Sequence, residues 1–147
     1  MARTMSWRTE GRLNVVFHGA RSPTSLEWKR YVVDAMSSAR ADGRVVVLSR
    51  GGSPDGFQRQ ELMTALRGRP SPVALLTDNL IARTAIAAMR LFNPSMKAFP
   101  TAGLEGASAF LGLTVAERER VAELLIELEG EIGESTAGAP PAQSGTR

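Results

Sequence analysis

The chain has 147 residues, 43% of them hydrophobic, with one histidine and no cysteine. That length suits one domain with a real core. The missing cysteines exclude disulfides, thiolate catalysis and cysteine–zinc sites, and the lone His18 excludes a multi-histidine metal site, so no metal and no cofactor is expected. No apolar run is long enough to span a bilayer. Residues 1–11 contain arginines but lack the apolar stretch of a secretory signal. A cytoplasmic, non-transmembrane protein is therefore expected. The formal net charge of +3 is polarised: residues 1–100 carry 15 Lys+Arg and 7 Asp+Glu, whereas residues 101–147 carry 3 and 8. Either the acidic C-terminal part folds back on a basic body, or a basic face awaits an acidic partner, a phosphate or a lipid head group. The first is the ordinary meaning of such charge runs.

Residues 4–8 alternate Met5 and Trp7 with polar neighbours, Glu10 and Gly11 supply a turn, and residues 13–18 form a second β-prone run around Val15, Val16 and Phe17. This predicts a hairpin. Thr24 with Glu27 three residues on is a capping box, and Trp28, Val32, Ala35, Met36 and Ala39 then share one helical face until Asp42 and Gly43 end the helix. Residues 44–49 contain Val45, Val46, Val47 and Leu48 between turn residues, the mark of a strand buried on both faces in a parallel sheet. Asp55 with Gln58 resembles a capping box for a helix over 56–67, closed by Gly68 and Pro70.

A strand follows at 73–77, then a helix capped by Asp78 or Asn79 with Ile81, Ala85, Ala88, Met89 and Phe92 on one face, ended by Asn93 and Pro94. A short strand at 96–99 leads to a helix with Leu104, Ala107 and Leu111 aligned and Gly112 beyond its end. Thr114 with Glu117 caps a final amphipathic helix, residues 114–132, carrying Val121, Leu124, Leu125, Leu128 and Ile132. Its 4-3-4 spacing suits packing on the domain or a homodimer seam. Residues 133–147, rich in Gly, Ala, Pro, Ser and Thr, read as a disordered tail. The order β-β-α-β-α-β-α-β-α plus one extra helix predicts an α/β domain over 1–113, with right-handed crossovers. Val15, Phe17, Val46, Leu48, Val73, Leu75 and Phe99 form its expected sheet core.

Over about residues 4–113 this order resembles the STAS domain and the broader SpoIIAA-like group, whose annotation overlaps that of CRAL-TRIO-like lipid-binding proteins. The resemblance is carried by RVVVLSRGG at 44–52 with its following helix, by VALLTD at 73–78 with the helix after it, and by KAFP at 97–100 followed by the helix at 104–113. It implies a non-enzymatic regulatory module that binds a protein partner. The same resemblance allows a lipid or small anionic ligand. In anti-sigma-factor antagonists a phosphorylatable Ser or Thr, within an Asp-Ser pair followed by Gly, opens the helix after the third strand. Ser53 lies near that place and is the candidate phosphosite, although the sequence GGSPDG at 51–56 lacks the Asp-Ser pair.

Ligands of open α/β sheets sit beyond the carboxyl ends of parallel strands. The residues placed there are Arg50, Gly51, Gly52, Ser53, Asp55, Thr77, Asp78 and Asn79. Gly51 and Gly52 permit close backbone approach, and the amides opening the next helix suit an anion. The glycine pair also serves a plain turn and matches neither the phosphate-loop nor the dinucleotide fingerprint. Ser53, His18 and Asp78 could supply a hydrolase triad, but no G-x-S-x-G elbow surrounds the serine. Nucleic-acid binding requires a basic face with exposed aromatics. Trp28 and Phe92 are assigned to core faces, so no nucleic-acid partner is expected.

Overall fold

A computed structural model describes residues 3–66, 71–89 and 95–137, the side chains of 85, 88, 89 and 134–137 excepted. Strands β1 (Met5–Glu10) and β2 (Leu13–His18) pair antiparallel across a turn at Gly11, where φ is 56°, a conformation cheap chiefly for glycine. Then come α1 (Ser25–Ser37), β3 (Arg44–Ser49), α2 (Gly56–Ala65), β4 (Val73–Leu76), α3 (Leu80–Met89), β5 (Met96–Phe99), α4 (Leu104–Leu111) and α5 (Val115–Ala137). The five strands make one mixed sheet in the order β1-β2-β3-β4-β5, parallel from β2 onward. Three successive crossovers of one hand put α1, α2 and α3 on the same face. Helices α4 and α5 cover the other.

Strand alternation sorts the side chains between these layers. The register aligns Val15 with Val46 and Ala74, and Phe17 with Leu48, Leu76 and Phe99. These rows meet Ala107 and Leu111 of α4 and Val121, Leu124, Leu125 and Leu128 of α5 in one core. The expected core is corrected at β4. Ala74 and Leu76 are buried there, while Val73 and Leu75 point to the opposite face and are only half-buried. For the same reason Val45 and Val47 of β3 are half-buried, so this strand is fully covered on one face only.

The acidic C-terminal segment does fold back on the basic body. Glu117 pairs with Arg12 at 2.7 Å, Glu129 with Arg50 at 3.2 Å, and Glu10 with Arg120 at 2.7 Å, while Glu131 receives both Arg3 and Arg8. Ser6 Oγ donates to the Leu128 carbonyl at 2.9 Å. The polar face of β1 is thus polar because it meets the flank of α5. The apolar face of α5 packs on its own sheet. The helix runs through Gly133 to Ala137, five residues beyond its expected end; residues 138–147 lie outside the described part.

On the opposite side α1 buries Trp28, Tyr31 and Ala35, and the capping box at Thr24 and Glu27 is present. Met36 is exposed and Ala39 lies past the helix, so the buried stripe is Trp28-Tyr31-Ala35. Helix α3 is capped by Asn79, whose Oδ1 accepts the Ala82 amide at 2.9 Å. It buries Ile86 and leaves Ile81 exposed, contrary to the expected face. Phe92, Asn93 and Pro94, and the helix-ending Gly68 and Pro70, fall outside the described residues.

The α5 contact should dominate stability. Leu128→Ala is expected to cost about 2–5 kcal/mol, whereas Ile126→Ala on the solvent side of the same helix should stay within about 0.5 kcal/mol. Denaturant melts of the two variants check this.

Candidate functional site

Helix α2 does not close the face it crosses. It rests on α1, and among its side chains only Gln58 is buried. Its anchor is the Trp28 Nε1 donor to the Gln58 carbonyl at 2.8 Å, backed by Gln58 Nε2 to the Pro23 carbonyl at 3.3 Å. Leu62 alone of its apolar residues packs on the cluster beneath. Over β1 and β2 this layer is filled by aromatics: Trp7 meets Tyr31 edge-on at 5.5 Å, Tyr31 meets Trp28 at 5.3 Å, and Trp28 stacks on His18 at 6.5 Å. Over β3 and β4 a cavity of about 530 Å³ remains between the sheet and α1, α2 and α3.

The cavity follows the strands. Its floor is Val16, Val47 and Leu75, its roof includes Ala35, Leu62 and Ile86, one end reaches Gly43 and Ser71, and the other reaches Ser49, Ser53 and Asn79. A six-residue strand is about 20 Å long, so the space is elongated and mostly apolar.

The polar end is held by backbone. Arg50 N–H donates to the His18 carbonyl at 2.9 Å and Gly52 N–H to the Gly19 carbonyl at 2.8 Å. Ser49 Oγ donates to the Gly52 carbonyl at 2.6 Å and accepts the Gly51 amide at 3.0 Å. Gly51 has φ of 130°, and a Cβ at Gly52 would stand 2.1 Å from the Arg21 carbonyl oxygen. Both glycines are therefore required by the fold itself.

Of the residues singled out from sequence, Gly51, Gly52, Ser53, Thr77 and Asn79 line this end of the cavity. The other three are engaged elsewhere. Arg50 turns to Glu129 on α5, Asp55 caps α2 by accepting the Gln58 amide at 2.8 Å, and Asp78 accepts from the Thr101 amide and hydroxyl at 2.9 and 2.7 Å. Those two bonds hold the Asp78 carboxyl below its usual range. No hydrogen bond among the described residues joins Ser53, His18 and Asp78, so the triad is not assembled.

Sequence reasoning passed over Asn14 and Tyr31, which also line the cavity. The available signal was alternation: Asn14, Val16 and His18 share one face of β2 and place two polar groups in an apolar wall. Asn14 Nδ2 donates to the Tyr31 hydroxyl at 3.3 Å, and burial pushes that phenol up to about 12. His18 is 4% exposed. Burial pulls its imidazole down to about 4 against the opposing pull of Glu27, so the ring is neutral near pH 7. No protein-family model, curated protein or solved structure matches the chain.

The depressed histidine sets a pH dependence. An unfolded histidine titrates near 6.5, so below that the unfolded chain binds a proton that the folded chain refuses. The contribution is complete above about pH 6.5 and is lost as the pH falls toward 4. The carboxylates of Glu27 and Glu117 are both held below their usual range. From pH 7.5 to 5 the loss should be about 2 kcal/mol, read from denaturant melts. His18→Phe should remove most of it.

Proposed function

We propose that this chain is a non-catalytic binding module that takes an elongated, largely apolar small molecule or lipid between its sheet and helices α1, α2 and α3. The observation that carries the reading is the cavity of about 530 Å³, within the usual range for small-ligand sites and apolar along its length with polar groups gathered at the ends. The element order and mixed sheet are compatible with the STAS and SpoIIAA-like resemblance, which admits lipid or small anionic ligands. At the carboxyl ends of the strands, the Gly51-Gly52 loop and the start of α2 offer backbone amides to a polar or anionic head. Among the described residues no helix is long and apolar enough to cross a membrane, which accords with a ligand carried within the α/β domain.

A second reading, a regulatory protein-interaction module, is favoured by a different observation. Phe57, Leu80 and Ile81 are 79%, 71% and 82% exposed on the first turns of α2 and α3. Large exposed apolar side chains of this kind are what interaction surfaces use. Ser53 stands two residues before the Asp55 cap, where a phosphate would meet the α2 N-terminus. Equal capture of a protein partner by wild type, Ser53→Ala and Ser53→Asp would exclude a charge switch there.

The ligand reading is tested by filling the cavity. Leu75→Trp projects bulk from the half-buried floor into the space. A dansyl-labelled undecanoic acid should bind wild type with energy transfer from Trp28, and should bind Leu75→Trp at least about tenfold more weakly with the melting temperature nearly kept. Equal binding by the two proteins, or none by wild type, overturns the reading.

A further inference from the structure

The charged residues that line the cavity are all of one sign. Arg12, Arg40, Arg44 and Arg59 contribute to its wall, and no Asp or Glu among the described residues does. Three of the four are committed at the Gly43 end. Arg12 is held by both oxygens of Glu117 at 2.8 and 2.7 Å, Arg40 by both oxygens of Asp42 at 2.8 and 3.1 Å, and Arg44 donates to the carbonyls of Leu111, Asp42 and Gly43. Arg59 stands at the other end. Its one hydrogen bond among the described residues runs from Nη1 to the Pro54 carbonyl at 2.7 Å. Asp55, one turn before it, is occupied as the α2 cap and makes no ion pair with it.

We propose that the occupant of the cavity is a single-chain amphiphile whose oxyanion head, a carboxylate or a phosphate, sits against Arg59, with its hydrocarbon tail running beneath Leu62 toward Gly43. This rests on the ligand-binding reading above and specifies the head group and the direction of entry. Arg59, Leu62, Met63 and Leu66 all line the cavity, and their i, i+3, i+4, i+7 spacing puts them on one face of α2. Side chains of a helix lean toward its N-terminus, and the bond to Pro54, which also lines the cavity, carries the guanidinium to that end. A guanidinium is always charged and offers a planar fork of donors that fits a carboxylate or phosphate. Ser53 and Asn79 line the same end and add a hydroxyl and an amide N–H; Asn79 already uses its oxygen on the Ala82 amide. Behind this head site Val47, Leu62 and Leu75 offer no polar group, which suits a hydrocarbon tail.

The experiment titrates the full chain by calorimetry with decanoate, decyl phosphate and decylammonium, at about 0.15 M salt so that distant charges are screened. Wild type should bind the tighter of the two anions at least about tenfold more strongly than decylammonium. Arg59→Gln should reduce that preference to about threefold or less, and Arg59→Glu should invert it. Arg30→Glu makes the same charge change at an exposed position of α1 outside the cavity lining, and should leave the preference in place. Thermal melts confirm that the variants are folded, and the wild-type comparison stands without them. Equal binding of anions and cation by wild type, a preference that survives Arg59→Glu, or an equal loss in Arg30→Glu overturns the inference while leaving the ligand reading intact. Failure of all three amphiphiles to bind, together with the absence of any transfer signal from Trp28 to the dansyl probe, overturns both.

Discussion

The seating of α5 on the sheet is the interaction on which the rest of the molecule depends. Leu124, Leu125, Leu128 and Val121 complete a core that Val15, Phe17, Val46, Leu48 and Leu76 begin. Apolar burial supplies the free energy. The ion pairs along its edges are largely exposed and add little individually, but they set orientation: Arg12 holds Glu117 at the start of the helix and Arg50 holds Glu129 toward its end. With one face closed in this way, the sheet can leave part of the other uncovered.

Much of this was legible in the chain because local chemistry and tertiary packing agree. The capping boxes at Thr24, Asp55 and Thr114 form as the sequence indicates, since each satisfies amides that would otherwise lack partners. The strand at 44–49 was legible from its β-branched run. What periodicity left undecided was which of two overlapping apolar stripes faces inward. In α1 the stripe through Tyr31 wins over the one through Met36, because Tyr31 reaches Trp7, Trp28 and Asn14 together. In α3 Ile86 is buried and Ile81 is left exposed. Helix α5 runs on to Ala137, past the Gly133 from which composition alone favours disorder.

The candidate site was half legible. The glycine pair after β3 announced a close backbone approach, and the Arg21 carbonyl against Gly52 is that approach. Asp55, Asp78 and Arg50 carry the conspicuous charges, yet each is committed to a cap, a loop or α5. The cavity itself is a property of what is missing from α2. A helix with one buried polar residue cannot cover a row of valines. No motif encodes that shortfall, and it emerges only when the layers are assembled.

The slender anchorage of α2 has an energetic consequence. Helices that bury many aliphatic side chains open only when the whole domain unfolds, whereas poorly buried segments open in separate, cheaper steps. Lifting α2 breaks the Trp28 indole bond and uncovers Leu62, while the α5 core stays closed. The bonds that hold α2 are therefore separate from the core that α4 and α5 form with the strand rows they cover. A substitution that weakens the α2 anchor therefore leaves the contacts of the α5 core in place.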